Sequence, residues 1–212
     1  MTVVGIIYWF FPWKILFLMV VIPSFLYLLF SEKKTLQKLW PIGGYANWVT
    51  LLRLIGLLLL FTLSGSLNNN QVMWILIVFV ILDGVDGFLA RHFHQETSVG
   101  ANFDMETDAL YVCFVSILLF ERGLADSWIL LIGFMRYFYV FLVFSSHMHL
   151  LAEKRTRFGP TIAVVLFIAL LIPFGVPRSI YYPLLIFASV LVILSFVWSF
   201  YLLIGERRKL LN

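Results

Sequence analysis

Charge and cysteine are both scarce in this chain. Of 212 residues, 12% are charged and one, Cys113, is a cysteine. A single thiol excludes an internal disulfide, and neither it nor the four histidines fall at zinc-binding spacing. Cys113 lies in an apolar run and reads as a buried structural thiol. No internal repeat or low-complexity tract is present, which sets aside solenoids and tethered tails. A soluble domain is excluded as well, because 62% of the residues are hydrophobic and mean hydropathy is +1.00. That composition belongs to a polytopic membrane protein. The net charge of +4 then reports topology rather than nucleic-acid binding, so no nucleic-acid partner is expected. The N-terminus has neither a basic region before its apolar stretch nor a small-residue cleavage site after it, so no cleavable signal peptide is expected.

What the chain has in abundance is apolar helix. About 20 residues of low polarity are needed to cross a bilayer. Seven segments reach or approach that length, at about 13–31, 46–64, 72–92, 99–120, 127–150, 161–175 and 180–204. The expected fold is all-α: a polytopic membrane helix bundle with a six-helix core and an added N-terminal membrane helix. Three regions follow. Residues 1–45 form an apolar, interfacial element with a basic linker, in which Trp9, Phe10, Phe11, Trp13 and Lys14 suit a membrane boundary. Residues 46–205 form the core, and 206–212 a basic tail.

Basic residues orient the bundle. With the 83–108 turn on the cytoplasmic side, that side carries Lys33, Lys34, Lys38, Arg91, Lys154, Arg155, Arg157, Arg207, Arg208 and Lys209. The opposite side carries Arg122 and Arg178, while Lys14, Arg53 and Arg136 fall within spans. Ten against two places the turn and the tail in the cytoplasm by the positive-inside rule. A bacterial inner membrane is the expected location.

Within this apolar chain four aspartates crowd into 26 residues. The stretch reads Asp83-Gly-Val-Asp86-Gly87-Phe-Leu-Ala90-Arg91, eight residues, then Gly100-Ala-Asn-Phe-Asp104-Met-Glu-Thr-Asp108. Acids in or near hydrocarbon are costly and mark function. Four together repel one another unless cations lie among them. Asp83 and Asp86 stand at i, i+3; Gly100, Asp104 and Asp108 at i, i+4, i+8. On two helices each set shares a face, and a short turn lets both faces point to one place. Carboxylate oxygens select hard cations such as magnesium.

This pattern resembles the signature of the CDP-alcohol phosphotransferase (CDP-alcohol phosphatidyltransferase) family, Asp-x2-Asp-Gly-x2-Ala-Arg-x8-Gly-x3-Asp-x3-Asp, and every fixed position is met. The resemblance implies a site of two Mg2+ or Mn2+ ions lined by Asp83, Asp86, Asp104 and Asp108. It implies that an alcohol attacks the diphosphate of a CDP-linked substrate, that CMP leaves, and that Asp108 serves as general base. Phospholipid synthesis from CDP-diacylglycerol and a polar alcohol is the first expectation. Transfer of a head group from a soluble CDP-alcohol to a lipid alcohol is the alternative. A cation transporter is disfavoured, because its acids would be spread through the membrane depth. A homodimer is one assembly such a bundle allows.

Further residues complete the expected site. Gly87, Ala90 and Gly100 leave a groove in which a nucleotide approaches helix backbone, and Arg91 closes it with fixed positive charge. Ala46-Asn47-Trp-Val-Thr50-Leu-Leu-Arg53 is similar to the Pro-Asn-x2-Thr-x2-Arg entry of the family's first core helix, with alanine in place of proline. Asn47 and Thr50 are expected to touch the nucleotide, the rival being a helix cap at Asn47 and a buried polar contact at Thr50. Arg136, deep in the fifth span, and Lys154 and Arg157, in the following loop, are candidates for an anionic acceptor. The acceptor itself is open. Family members that act on glycerol phosphate often carry Pro and Lys where this chain has Met105 and Ala109, and the Ser-Phe-Gly of serine-using members is also missing after Asp108.

Overall fold

The computed structural model describes Val21, Phe25, residues 44–145 and residues 159–211. Six α-helices have defined bounds: α1 (Tyr45–Leu63), α2 (Asn69–His92), α3 (Ser98–Glu121), α4 (Trp128–Ser145), α5 (Gly159–Leu171) and α6 (Arg178–Leu211). Among the described residues there is no strand, so the fold is all-helical. Val21 and Phe25 are also helical. The rest of the expected 13–31 span, the basic linker and the 146–158 loop with Lys154 and Arg157 lie outside the described residues, so the expected count of seven spans is untested at its first member.

Three stretches are long and apolar enough to cross a membrane: Tyr45–Ser66, Asn69–His92 and Arg178–Gly205. Trp128–Val143 and Gly159–Phe174 are apolar but shorter. Helix α3 has the length but carries Asp104, Glu106, Asp108 and Glu121, so its polarity sets it apart. Long exposed faces of α1 and α2 are apolar. On α1, Leu52, Ile55, Leu59 and Leu63 form one exposed stripe, and on α2 Trp74, Val78, Ile81, Val85 and Phe88 form another. Both repeat at helical spacing, as lipid-facing sides do.

The helix starts are written in local sequence. Asn68 and Gln71 exchange side-chain to backbone hydrogen bonds at 2.9 Å each, a reciprocal cap that opens α2. Thr97 Oγ1 accepts the Gly100 amide at 3.0 Å and caps α3. Between them α2 ends with His94 in the left-handed region at φ 51°. The His94 amide donates to Arg91 O and the Gln95 amide to Ala90 O. That pair of bonds satisfies carbonyls the helix end would leave open.

The described residues fall into two compact units. One holds residues 44–67 with Val78–Thr107; the other holds Asn68–Ile77 and the described residues from Asp108 onward. In the first, α1 and α2 approach closely where Gly56 faces Phe79: a Cβ on Gly56 would lie 2.7 Å from that ring. The Tyr45 and Phe93 rings meet at 4.7 Å, and Gln95 Oε1 accepts the Tyr45 amide at 2.9 Å, so the α2–α3 turn is fastened to the start of α1. In the second unit α5 and α4 pack on α6, and Leu185, Ala188 and Val192 of α6 are buried. Cys113 is fully buried there, as its setting predicted. Asp126 accepts from Tyr182 Oη at 2.6 Å and from Arg178 at 3.4 Å, tying the α3–α4 loop to the start of α6.

Candidate active site

The acidic stretch folds as its spacing requires. Asp83 and Asp86 lie in the second half of α2, and Asp104 and Asp108 lie one turn apart in the first half of α3. A carboxylate oxygen of Asp104 is within 4.8 Å of one on Asp83 and of one on Asp108. Each of these three acids is half-buried. An all-carboxylate set at that separation fits a hard divalent cation and suits neither zinc nor a soft metal.

Asp86 is held differently. It is buried to 4% exposure, and Thr50 Oγ1 of α1 donates to its Oδ2 at 2.9 Å. An i, i+3 step turns about 60° around the helix, and that turn aims Asp86 toward α1. Ala46 O lies 3.1 Å from the same hydroxyl and shares its single proton with Asp86. Thr50 is itself 2% exposed, so its hydroxyl takes the buried polar role. The cap of α1 is Gly44, with φ 79°. Asn47 is the third residue of the helix, not its cap, because Gly44 supplies the turn.

At the centre of this unit is a residue whose role the sequence reading did not assign. Arg53 of α1 is 1% exposed. Its Nη1 bonds Asp83 Oδ1 and stands 3.7 Å from Asp86 Oδ2. Its Nη2 donates to Asp104 Oδ1 at 3.0 Å. One guanidinium therefore joins acids from two helices that follow it by 30 and 51 residues. The available signal was a charge deep in an apolar helix, one turn from Thr50 on the same side.

The small residues fall where approach is closest. A Cβ on Gly100 would lie 2.8 Å from Asn47 Oδ1, so Asn47 rests against the bare backbone of α3. On α2, Gly84 faces open space, and the Arg91 guanidinium folds back along its own helix, with Nη1 3.6 Å from a Cβ placed on Gly87. Ala90 is half-buried and Arg91 exposed. Arg136 lies midway along α4 and is half-buried.

Two relatives share part of the chain. The CDP-diacylglycerol--glycerol-3-phosphate 3-phosphatidyltransferase of Rickettsia typhi (strain ATCC VR-144 / Wilmington) is 31% identical over 84 residues, covering 38% of this chain and 47% of that protein. The protein of the same name from Rickettsia prowazekii (strain Madrid E) is 31% identical over 84 residues, covering 38% of this chain and 46% of its own length. The chain thus spans about half the length of the relatives it matches. The broader match is to a family profile, CDP-alcohol phosphatidyltransferase, over residues 44–201. That range contains α1, the acid-bearing turn and most of α6, and with it the chain belongs to the CDP-alcohol phosphatidyltransferase family.

Proposed function

We propose that this integral membrane protein transfers the phosphatidyl group of CDP-diacylglycerol to a polar alcohol, with release of CMP. The observation that carries the reading is the cluster of carboxylates on α2 and α3, ready for cations, beside backbone left bare at Gly87 and Gly100. The acceptor's hydroxyl oxygen forms a bond to the lipid-bearing phosphorus, and the bond from that phosphorus to the CMP oxygen breaks. The hydroxyl proton passes to Asp108, the last acid of the motif. Asp83, Asp86, Asp104 and Asp108 hold two magnesium or manganese ions. When bound, these ions neutralise charge on the diphosphate and on departing CMP. Gly87, Ala90 and Gly100 admit the nucleotide, Asn47 borders it, and Arg91 pairs with its phosphates. Thr50 serves this site through Asp86.

The names of the two Rickettsia relatives make glycerol 3-phosphate the first acceptor to try. Arg136, Lys154 and Arg157 are the cations proposed to meet its phosphate. Met105 and Ala109 depart from the residues common in glycerol-phosphate users, so other polyols belong in the same panel. Residues 46–205 are the working domain, with 1–45 and 206–212 as membrane-proximal additions, and the site opens to the cytoplasm of a bacterial inner membrane.

Purified protein with magnesium and CDP-diacylglycerol should release CMP in the presence of one alcohol of the panel. No CMP from any alcohol, with lipid product forming instead from a soluble CDP-alcohol and diacylglycerol, would favour head-group transfer.

A further inference from the structure

Arg53 is placed where a cation is costly. It lies eight residues into an apolar helix and is 1% exposed, and charge in such a setting persists only when paired and hydrogen-bonded. Its pairing is specific: one terminal nitrogen goes to Asp83 of α2 and the other to Asp104 of α3. In both acids the contacted atom is Oδ1. A carboxylate has two oxygens with their own lone pairs, and by taking one oxygen of each acid the guanidinium fixes the orientation of both carboxyl planes.

We propose that Arg53 is a positioning residue for the cation site, whose fork sets the separation of Asp83 and Asp104 by geometry and not by charge alone. This rests on the metal-dependent reading above. The physical distinction is between arginine and lysine. A planar fork can bond two carboxylates from different helices at once, whereas an ammonium is a point charge on a flexible stem. Removing the charge altogether has two opposed effects. The acids attract a divalent cation more strongly, and they lose the brace that aligns them. Arg53→Lys holds charge constant and removes only the brace.

The experiment uses the full chain in nanodiscs without substrate, with binding read from the electron paramagnetic resonance signal of free Mn2+. Groups that orient metal ligands typically alter metal affinity about 10- to 100-fold, and Arg53→Lys should weaken Mn2+ binding by that much. At saturating Mn2+ its kcat should return toward wild type. Arg53→Ala leaves three acids without their counter-charge, and should it fail to fold, the lysine variant still carries the test. A lysine variant that binds Mn2+ as the wild type does, or more tightly, overturns the positioning role and leaves Arg53 a counter-ion. A wild type that binds no Mn2+ overturns the metal reading itself, and with it this proposal.

Discussion

Thr50 Oγ1 donates to Asp86 Oδ2 at 2.9 Å, linking α1 to α2 through a carboxylate that is 4% exposed. Deleting a donor to a buried charged group costs more than the bond itself is worth, because the acceptor stays desolvated. Thr50→Val keeps the shape and removes the hydroxyl, and should destabilise the protein by about 1–3 kcal/mol. Thr50→Ser should recover most of that. Thermal melts in detergent decide it: a valine variant as stable as wild type would remove this bond from the account.

The clustered carboxylate oxygens of Asp83, Asp104 and Asp108 predict metal dependence. Asp83→Asn and Asp104→Asn should each abolish CMP release while the protein still purifies as a folded species. Chelation should silence the wild type, and magnesium or manganese should restore it. Full activity in excess chelator would sink the two-ion site.

Gly100 allows packing and function to be separated. A Cβ there would lie 2.8 Å from Asn47 Oδ1 and 3.1 Å from Thr97 Oγ1, both side-chain atoms, so Gly100→Ala requires the Asn47 amide to rotate and the Thr97 cap to give by a few tenths of an ångström. It should melt within about 1 kcal/mol of wild type, the scale of an ordinary helix glycine-to-alanine change. If the bare backbone admits the nucleotide, the same variant should raise KM for the CDP substrate at least about tenfold, the worth of one charge-assisted contact. Unchanged KM would mean that the glycine is there for helix contact alone.

Arg91 and Arg136 should fail differently. Arg91 leans over Gly87 on α2, while Arg136 is midway along α4. Arg91→Ala should raise KM for the CDP substrate, and Arg136→Ala should raise it for an anionic acceptor. Loss of one charge-assisted contact, about 1.5–3 kcal/mol, corresponds to roughly ten- to hundredfold. Wild-type acceptor dependence in a folded Arg136→Ala protein would point to an uncharged acceptor.

Orientation is testable at two exposed positions. Glu96 lies in the α2–α3 turn and Asn70 at the start of α2. Single cysteines at these sites in a Cys113→Ser background should label from opposite faces of sealed vesicles, Glu96 from the cytoplasmic one. Labelling from the same face would refute the arrangement drawn from the basic residues.

Much of this was legible in the chain. Most helices with defined bounds begin and end close to the apolar runs that predicted them, because hydrocarbon leaves the backbone few alternatives to helix; α6 instead runs on to Leu211, through most of the expected 206–212 tail. The four acids were legible because their intervals are fixed. The division of labour among them was not. That Asp86 is the acid that meets Thr50 depends on the rotation of α2 against α1, and periodicity within one helix says nothing about its neighbour. Arg53 was visible as a buried charge, but its partners are 30 and 51 residues away. Choosing them needs the depth at which α1, α2 and α3 meet, which Gly56 against Phe79 and Gly100 against Asn47 help to set. The left-handed His94 was hidden for a simpler reason, since histidine is not the residue that usually announces that conformation.

The order of these residues along the chain bears on how the protein is made. Synthesis runs from the N-terminus, so Arg53 leaves the ribosome before Asp83, Asp86 and Asp104. A lone arginine or aspartate inserted at the centre of a spanning helix costs about 2.5–3.5 kcal/mol on insertion scales. The contact between Arg53 and Asp83 allows α1 and α2 to enter the bilayer as a hairpin in which each offsets the other's charge. When α3 follows, Asp104 meets a guanidinium already held in place. The insertion machinery thus receives an acidic cluster with its counter-charge delivered first.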